Sequence, residues 1–336
     1  KDAKLYIPSS PLGLTGTGSQ GADLWAASNS EFGATFSLYL KDVKGSLKDE
    51  RQKQQSELEK KKSPVDYPSF ESLREEANED KTQLMWLIKN DSGVEIKRIL
   101  SSPKKGLQRI SWDLRSESTS PIQLSKSTPG RYSSPDNGFM VNPGKYSVEV
   151  KLIKDGVISN LIEKTDFVVV GLNNQTNKNE SIELVEFRTK VAELKRKMDG
   201  TSRLISEMNE KLSFYEHAIL NYPKTDLALL KNTESIKITM NELQVRFWGD
   251  GLKASHEFET APSISDRFGM VYYQLFSNTS KVTSTQKTNY TISLEDYSKF
   301  REDFDSVIKQ IKTIEDKLDA SGIPYIKGKD ENWKQN

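Results

Sequence analysis

The chain has 336 residues, 35% hydrophobic and 29% charged, with 49 basic against 48 acidic residues for a net charge of +1. That balance lacks the basic excess a nucleic-acid partner normally leaves, and no apolar run reaches the roughly 18 residues a membrane-crossing helix needs. Cysteine is absent, which removes disulfides, thiolate metal sites and cysteine nucleophiles.

The length allows two domains with a core each. The sequence starts at Lys1 with no charged-then-apolar signal segment, so we expect a processed product, a cloned piece or a fragment of something longer. Residues 1–33 are rich in Gly, Ser and Pro and read as an extended connector lying on a neighbouring surface. Within them Gly16-Thr17-Gly18-Ser19-Gln20-Gly21 fits the dinucleotide fingerprint. That motif needs a strand before it and a long helix after it to hold a pyrophosphate. Here a Pro-broken segment precedes and a short Ala/Ser/Asn stretch follows, so we read a glycine loop.

Residues 34–172 are expected to form an antiparallel β-sandwich of immunoglobulin or fibronectin type, with a helical insertion at about 43–82. Ala34–Leu40 is the first strand, and the polar run from Lys44 to Lys62 is a solvated helix steadied by pairs such as Lys53 with Glu57. Its closing Lys60-Lys61-Lys62 reads as a solvated face rather than an anion contact. Pro68-Ser69 opens a short helix with Phe70 and Leu73. Gln83–Ile88 and Val94–Ile99 form a hairpin around Asp91-Ser92-Gly93. In Gly106–Arg115 the residues Ile110, Trp112 and Leu114 alternate with Ser111 and Asp113, the period of a half-buried strand. A Ser/Pro/Gly-rich loop at 116–137 follows, ending in Ser134-Pro135-Asp136-Asn137-Gly138, which fits the core of a propeller Asp-box but is equally an Asp-Asn-Gly turn, the reading we prefer. Pro143-Gly144 leads into alternating Tyr146, Val148 and Val150, and the last strands are 145–153 and 165–170.

Residues 173–180 are a polar linker, after which the apolar period changes to 3.6 over 181–322, an expected antiparallel four-helix bundle. The first helix buries Leu184 to Ile219, with Gly200 loosening its middle. Asp226 caps a second, with Leu227, Leu230, Ile236, Met240, Leu243 and Phe247 inward. Ser263 or Ser265 starts a third, and Ser293 with Asp296 forms a capping box for a fourth that buries Tyr297 to Leu318. Residues 323–336 are a C-terminal tail.

A search for chemistry returns no constellation. His217 and His256 share no ligand spacing, no H-E-x-x-H and no G-x-S-x-G occur, and the carboxylates lie among lysines. Trp86, Trp112 and Tyr146 fall on inward strand phases, where core packing accounts for them. Trp25 and Trp333 lie outside periodic segments and are the candidate interdomain or partner contacts. We expect no catalytic, cofactor-binding or metal residues.

Several stretches resemble one family in order. They are Gly18-Ser19-Gln20-Gly21, Asn29 with Gly33-Ala34-Thr35-Phe36, Tyr39-Leu40-Lys41-Asp42 and Ser111-Trp112-Asp113-Leu114-Arg115. Further on come Gly138 to Val141 with Pro143-Gly144-Lys145-Tyr146, then Thr285-Gln286, Asn289-Tyr290, Gly322-Ile323-Pro324, Gly328 and Trp333. Together they resemble the region after the propeller in bacterial sortilin-like BNR-repeat proteins, often labelled glycosyl hydrolases. Asn29-Ser30 departs from the family's usual Asn-Pro. The resemblance implies a non-catalytic structural and interaction region of an exported protein, at the periplasm or cell surface. It would buttress a β-propeller domain or chain and dock a protein partner, such as a cell-surface complex, with no cofactor, nucleic acid or membrane insertion. The rival expectations are an accessory carbohydrate-binding module of a glycoside hydrolase and a hydrolase in its own right.

Overall fold

A computed structural model describes residues 3–6, 32–43, 45–122, 138–171 and 178–322. Among them the chain is an α+β protein with two antiparallel sheets and seven helices. It divides into a sheet unit, Lys1–Glu117 with Asn137–Gln175, and a helical unit, Ser118–Asp136 with Thr176–Asn336. The glycine run 16–21, the Asp-box residues 134–137, Trp25 and Trp333 lie outside the described residues.

In the sheet unit, β1 (Ala3–Tyr6), β2 (Ala34–Leu40) and β5 (Gly106–Trp112) form one sheet in the order β1-β2-β5. The other is ordered β4-β3-β6-β7, with β3 (Gln83–Asn90), β4 (Glu95–Ser101), β6 (Gly144–Lys154) and β7 (Val157–Val169). Inward residues of both sheets build a single core: Phe36 and Leu38 of β2, Trp112 of β5, Leu84, Trp86 and Ile88 of β3, and Tyr146, Val148 and Val150 of β6. Each set follows period two, as residues on one face of a pleated strand must, and β3 buries Met85 and Leu87 on its other face as well.

Part of the sequence reading changes here. β5 ends at Trp112; Leu114, with φ of 58°, lies beyond the strand and still packs half-buried against the core. Leu107 is exposed. β7 begins at Val157 rather than 165: Asp155 (φ 51°) and Gly156 (φ 72°) both take the left-handed region a tight hairpin turn requires, so β6 pairs at once with the returning chain.

Between β2 and β3 stand α1 (Leu47–Lys60) and α2 (Phe70–Asn78), neither with a buried residue. Ser46 and Asp49 form a capping box at α1, and Ser69 caps α2. The expected Lys53–Glu57 pair does not form. Arg51 of α1 instead makes a two-pronged contact to Glu76 of α2, at 2.5 and 3.0 Å, and also meets Gln55 at 3.0 Å. A guanidinium fork matches a carboxylate better than a lysine point charge does. That pairing lowers the Glu76 pKa through its hydrogen bond to Arg51.

In the helical unit, α3 (Lys178–Asn221), α4 (Ala228–Trp248), α6 (Ile264–Ser277) and α7 (Ser284–Ala320) pack on one another, with short α5 (Gly251–Ser255) between α4 and α6. Buried residues repeat at helical spacing along α3, from Leu184 through Val191, Met198, Ile205 and Leu212 to Ile219. α3 runs unbroken through Gly200. Leu227, at the N-cap of α4, is exposed, and Leu229 begins the buried stripe that Thr233, Ile236, Met240, Leu243 and Phe247 continue; the Asp226 carboxylate accepts from Ala228 N at 2.9 Å. Ser263, with Asp266, caps α6. The helix expected to start at Ser293 starts at Ser284, capped by a Thr283–Gln286 box, while Ser293 is buried inside it and donates to the Asn289 carbonyl at 2.8 Å. A serine satisfied by the carbonyl four residues back does not stop a helix.

Two polar contacts lock this core. Buried Arg188 donates to the carbonyls of Leu275 and Asn278 at 2.9 and 2.8 Å, placing its charge at the carbonyl end of α6. The Thr201 and Tyr297 hydroxyls meet at 2.8 Å between α3 and α7.

Candidate functional site

The densest convergence of sequence-marked residues is at the end of β5. Trp112 is fully buried, and its indole N–H donates to the Arg115 carbonyl at 2.8 Å. Its ring meets Tyr146 edge-on at 5.6 Å and Phe167 at 6.0 Å, geometries that aromatic quadrupoles favour. The half-buried Asp113 turns the chain, its carboxylate accepting from Arg115 N at 3.1 Å. Residues 114–116 then pair with 138–141: Val141 N donates to Leu114 O at 2.8 Å, Ser116 N to Phe139 O at 2.9 Å, and the Arg115 guanidinium to Gly138 O at 3.2 Å. Glu117 N and the Lys97 ammonium tie this ribbon to β4, through Ile96 O at 2.9 Å and Ser116 O at 3.1 Å. A side chain at Gly138 would press into the Ser116–Glu117 backbone, 2.9 Å from the Ser116 carbonyl carbon.

Tyr146 closes the junction. Its hydroxyl donates to the Asn142 carbonyl at 2.6 Å, and burial raises its pKa. A buried phenol that gives its proton to a backbone carbonyl has neither freedom nor water for acid–base work. Trp86 is likewise internal, stacked on Phe36 at 6.1 Å with its indole N–H donating to the Ser101 hydroxyl at 3.0 Å. The chemistry of the junction is structural: its polar groups donate to or accept from one another.

Elsewhere, His217 and His256 are exposed on separate elements, His217 within 3.3 Å of the Asn221 amide. Among the described residues no group of three His, Asp or Glu side chains is placed to hold a metal ion, and no helix is long and apolar enough to cross a membrane.

A second constellation escaped the sequence reading. Residues 118–122 belong to the helical unit and lie along α3. Arg196 donates to Ser118 O at 3.4 Å, and Arg203 forks onto Pro121 O and Ile122 O at 3.1 and 3.0 Å. Buried Thr119 meets the Tyr272 hydroxyl at 2.9 Å. Backbone carbonyls have no sequence signature, and two arginines on a charged helix resemble any solvated pair, so nothing in the sequence singled them out.

Compared with known proteins, the chain matches no family model, no curated protein and no solved structure.

Proposed function

We propose that this chain is a non-catalytic structural and interaction region of an exported bacterial sortilin-like propeller protein, built from a fibronectin-like β-sandwich and an antiparallel four-helix bundle. The observation that carries the reading is the Trp112 junction. Gly33-Ala34, Ser111–Arg115, Gly138–Val141 and Tyr146 are distant in sequence, and all of them carry the family resemblance. In the fold they meet in one internal knot. Residues committed to such a knot support a scaffold role.

The strand order supports the sandwich. With the strands lettered A to G in chain order, the sheets are A-B-E and D-C-F-G. This order resembles the constant-type immunoglobulin arrangement with strand D moved across. Trp86 occupies the place of the buried tryptophan on strand C. Tyr146, early in strand F and bonded to the carbonyl four residues upstream, has the geometry of a tyrosine corner. The buried stripes of α3, α4, α6 and α7 support the bundle.

Buttressing a propeller is tested by expressing the sequence encoded upstream of Lys1 and measuring its association with this chain. A stable complex with a β-propeller is the expected result; a region that encodes no propeller, or one that ignores this chain, overturns the reading. Clear binding on a glycan array would transfer the assignment to a carbohydrate-binding module, and turnover of aryl glycosides by this chain alone to a hydrolase.

A further inference from the structure

α4 and α6 follow one another along α7 as two halves of one interrupted helix. Phe247, at the end of α4, packs on Phe300 with ring centroids 5.1 Å apart, while Gln274 and Arg267 of α6 meet Gln286 and Asn289 near the start of α7, at 3.2 and 3.3 Å. Buried positions keep the three-and-four spacing on both sides of the gap, at Ile236, Met240, Leu243 and Phe247 and then at Ile264, Phe268, Val271 and Leu275. The gap itself closes: a Cβ on Gly249 would lie 3.7 Å from Ser263 and from Asp266. Residues 250–262 therefore leave the helix line and return to the place they left, the form of an Ω-loop.

The loop has a fixed shape. The Asp250 carboxylate caps α5 by accepting from Leu252 N and Lys253 N, both at 3.1 Å. The far end of α5 closes as a Schellman motif: Glu257 N donates to Ala254 O and Phe258 N to Lys253 O, each at 3.1 Å, and Glu257 takes φ of 59°. A residue with a Cβ holds that left-handed conformation only at a cost, and such strain gathers at functional sites.

The loop holds an apolar pair in the open. Leu252 is 72% exposed and Phe258 69%, and the bond from Phe258 N to Lys253 O sets their backbones side by side. Glu257 and Glu259 flank Phe258, exposed and without an ion pair among the described residues. Across residues 249–263 the acids Asp250, Glu257 and Glu259 stand against one base, Lys253, a net charge of −2 (one minus three, His256 neutral). Neighbouring charges do not restore the balance, since Arg246 pairs with Asp303 at 2.5 Å and Asp266 is followed by Arg267.

We propose that this loop is a docking knob for a basic amphipathic segment of a protein partner. Charge complementarity selects that occupant: an apolar face rimmed by Lys or Arg covers Leu252 and Phe258 and meets the carboxylates of Glu257 and Glu259. An anionic bilayer or a nucleic acid is repelled by the same charges. The fixed backbone of the loop lowers the ordering cost of such a contact. The proposal rests on the reading of this chain as an interaction region and gives that region a surface; the propeller plays no part in it.

Fluorescence anisotropy of a labelled amphipathic helix of about 18 residues, built from Leu and Lys, tests this on the full chain. The peptide should bind about tenfold or more tightly than its Leu/Glu copy, and high salt should weaken the binding. The double change Leu252→Ser, Phe258→Ser and the double change Glu257→Gln, Glu259→Gln should each lower the affinity about tenfold or more. All four side chains are exposed, so circular dichroism and melting should stay as in the parent chain. No binding, equal binding of the Leu/Glu copy, or binding that survives either double change overturns the proposal. Concentration-dependent self-association of the parent chain that the Leu252/Phe258 change abolishes overturns it in favour of a second copy. A chain that binds its propeller but not the peptide fails this proposal alone, whereas loop-dependent peptide binding with no propeller association supports it and fails only the propeller reading.

Discussion

Gly33 and Trp112 touch through their backbones. A Cβ at position 33 would lie 2.8 Å from the Trp112 carbonyl carbon and closer still to its oxygen, and Gly33 has φ of 115°, a conformation side chains resist. The entry to β2 and the exit of β5 can therefore close only with glycine at this place. Gly33→Ala should destabilise the sheet unit by about 2 kcal/mol or more, from left-handed strain plus the clash. Urea unfolding followed by tryptophan fluorescence measures it; a change within about 0.5 kcal/mol would mean that the junction opens freely.

Trp112 is the core of the same junction. Trp112→Ala should cost about 3–5 kcal/mol and unfold the sheet unit at moderate denaturant. Trp112→Phe keeps most of the ring but forfeits the indole bond to the Arg115 carbonyl, so its cost should fall between that value and the parent. A parent-like Trp112→Ala would show that the ring is not internal and would reopen a ligand role.

Tyr146 gives a pH signature. Burial raises its folded pKa above the ordinary value of 10.0. The unfolded chain then loses its phenolic proton first as pH rises, so the bond to Asn142 is fully stabilising below about pH 10 and is lost as pH climbs through the folded pKa. Tyr146→Phe should cost about 1 kcal/mol at neutral pH and should flatten the alkaline fall in stability. An unaltered alkaline limb would assign that fall to other groups.

Gly200 sits inside α3, where an added Cβ meets nothing within 4 Å. Gly200→Ala should therefore raise the stability of the helical unit by about 0.5–1 kcal/mol. A loss, read by thermal melting, would mean that the helix needs a yielding point there.

The clasp on residues 118–122 predicts a local effect. Arg203→Ala removes both bonds to the Pro121 and Ile122 carbonyls. Hydrogen exchange should quicken at Ile122 and its neighbours while the core amides of α3 stay protected. Unchanged exchange would make the fork incidental.

How much was legible depended on the range of the interaction. In α3 and α7 the apolar period lay within a few turns, so the buried residues from Leu184 to Leu318 could be read directly. The start of α7 could not, because Ser293 offers the same local capping chemistry as Thr283, and only the burial of Ser293 decides between them. The Asp155-Gly156 turn was visible, but the length of β7 was not, since Val157 to Asn160 are mostly outward and carry no alternation toward a core.

The inward phases of Trp112 and Tyr146 were determined by sequence alone, because period-two burial is a property of one strand's own side chains; Trp86 sits in the unbroken apolar run Leu84–Ile88, whose phase only the packing of the two sheets decides. The meeting of Gly33 with Trp112, of Tyr146 with Asn142, and of Arg203 with the carbonyls of residues 121 and 122 was decided only by the tertiary structure. Each involves a backbone group as partner, and every residue carries the same carbonyl. Which carbonyl is within reach depends on how the chain has already folded.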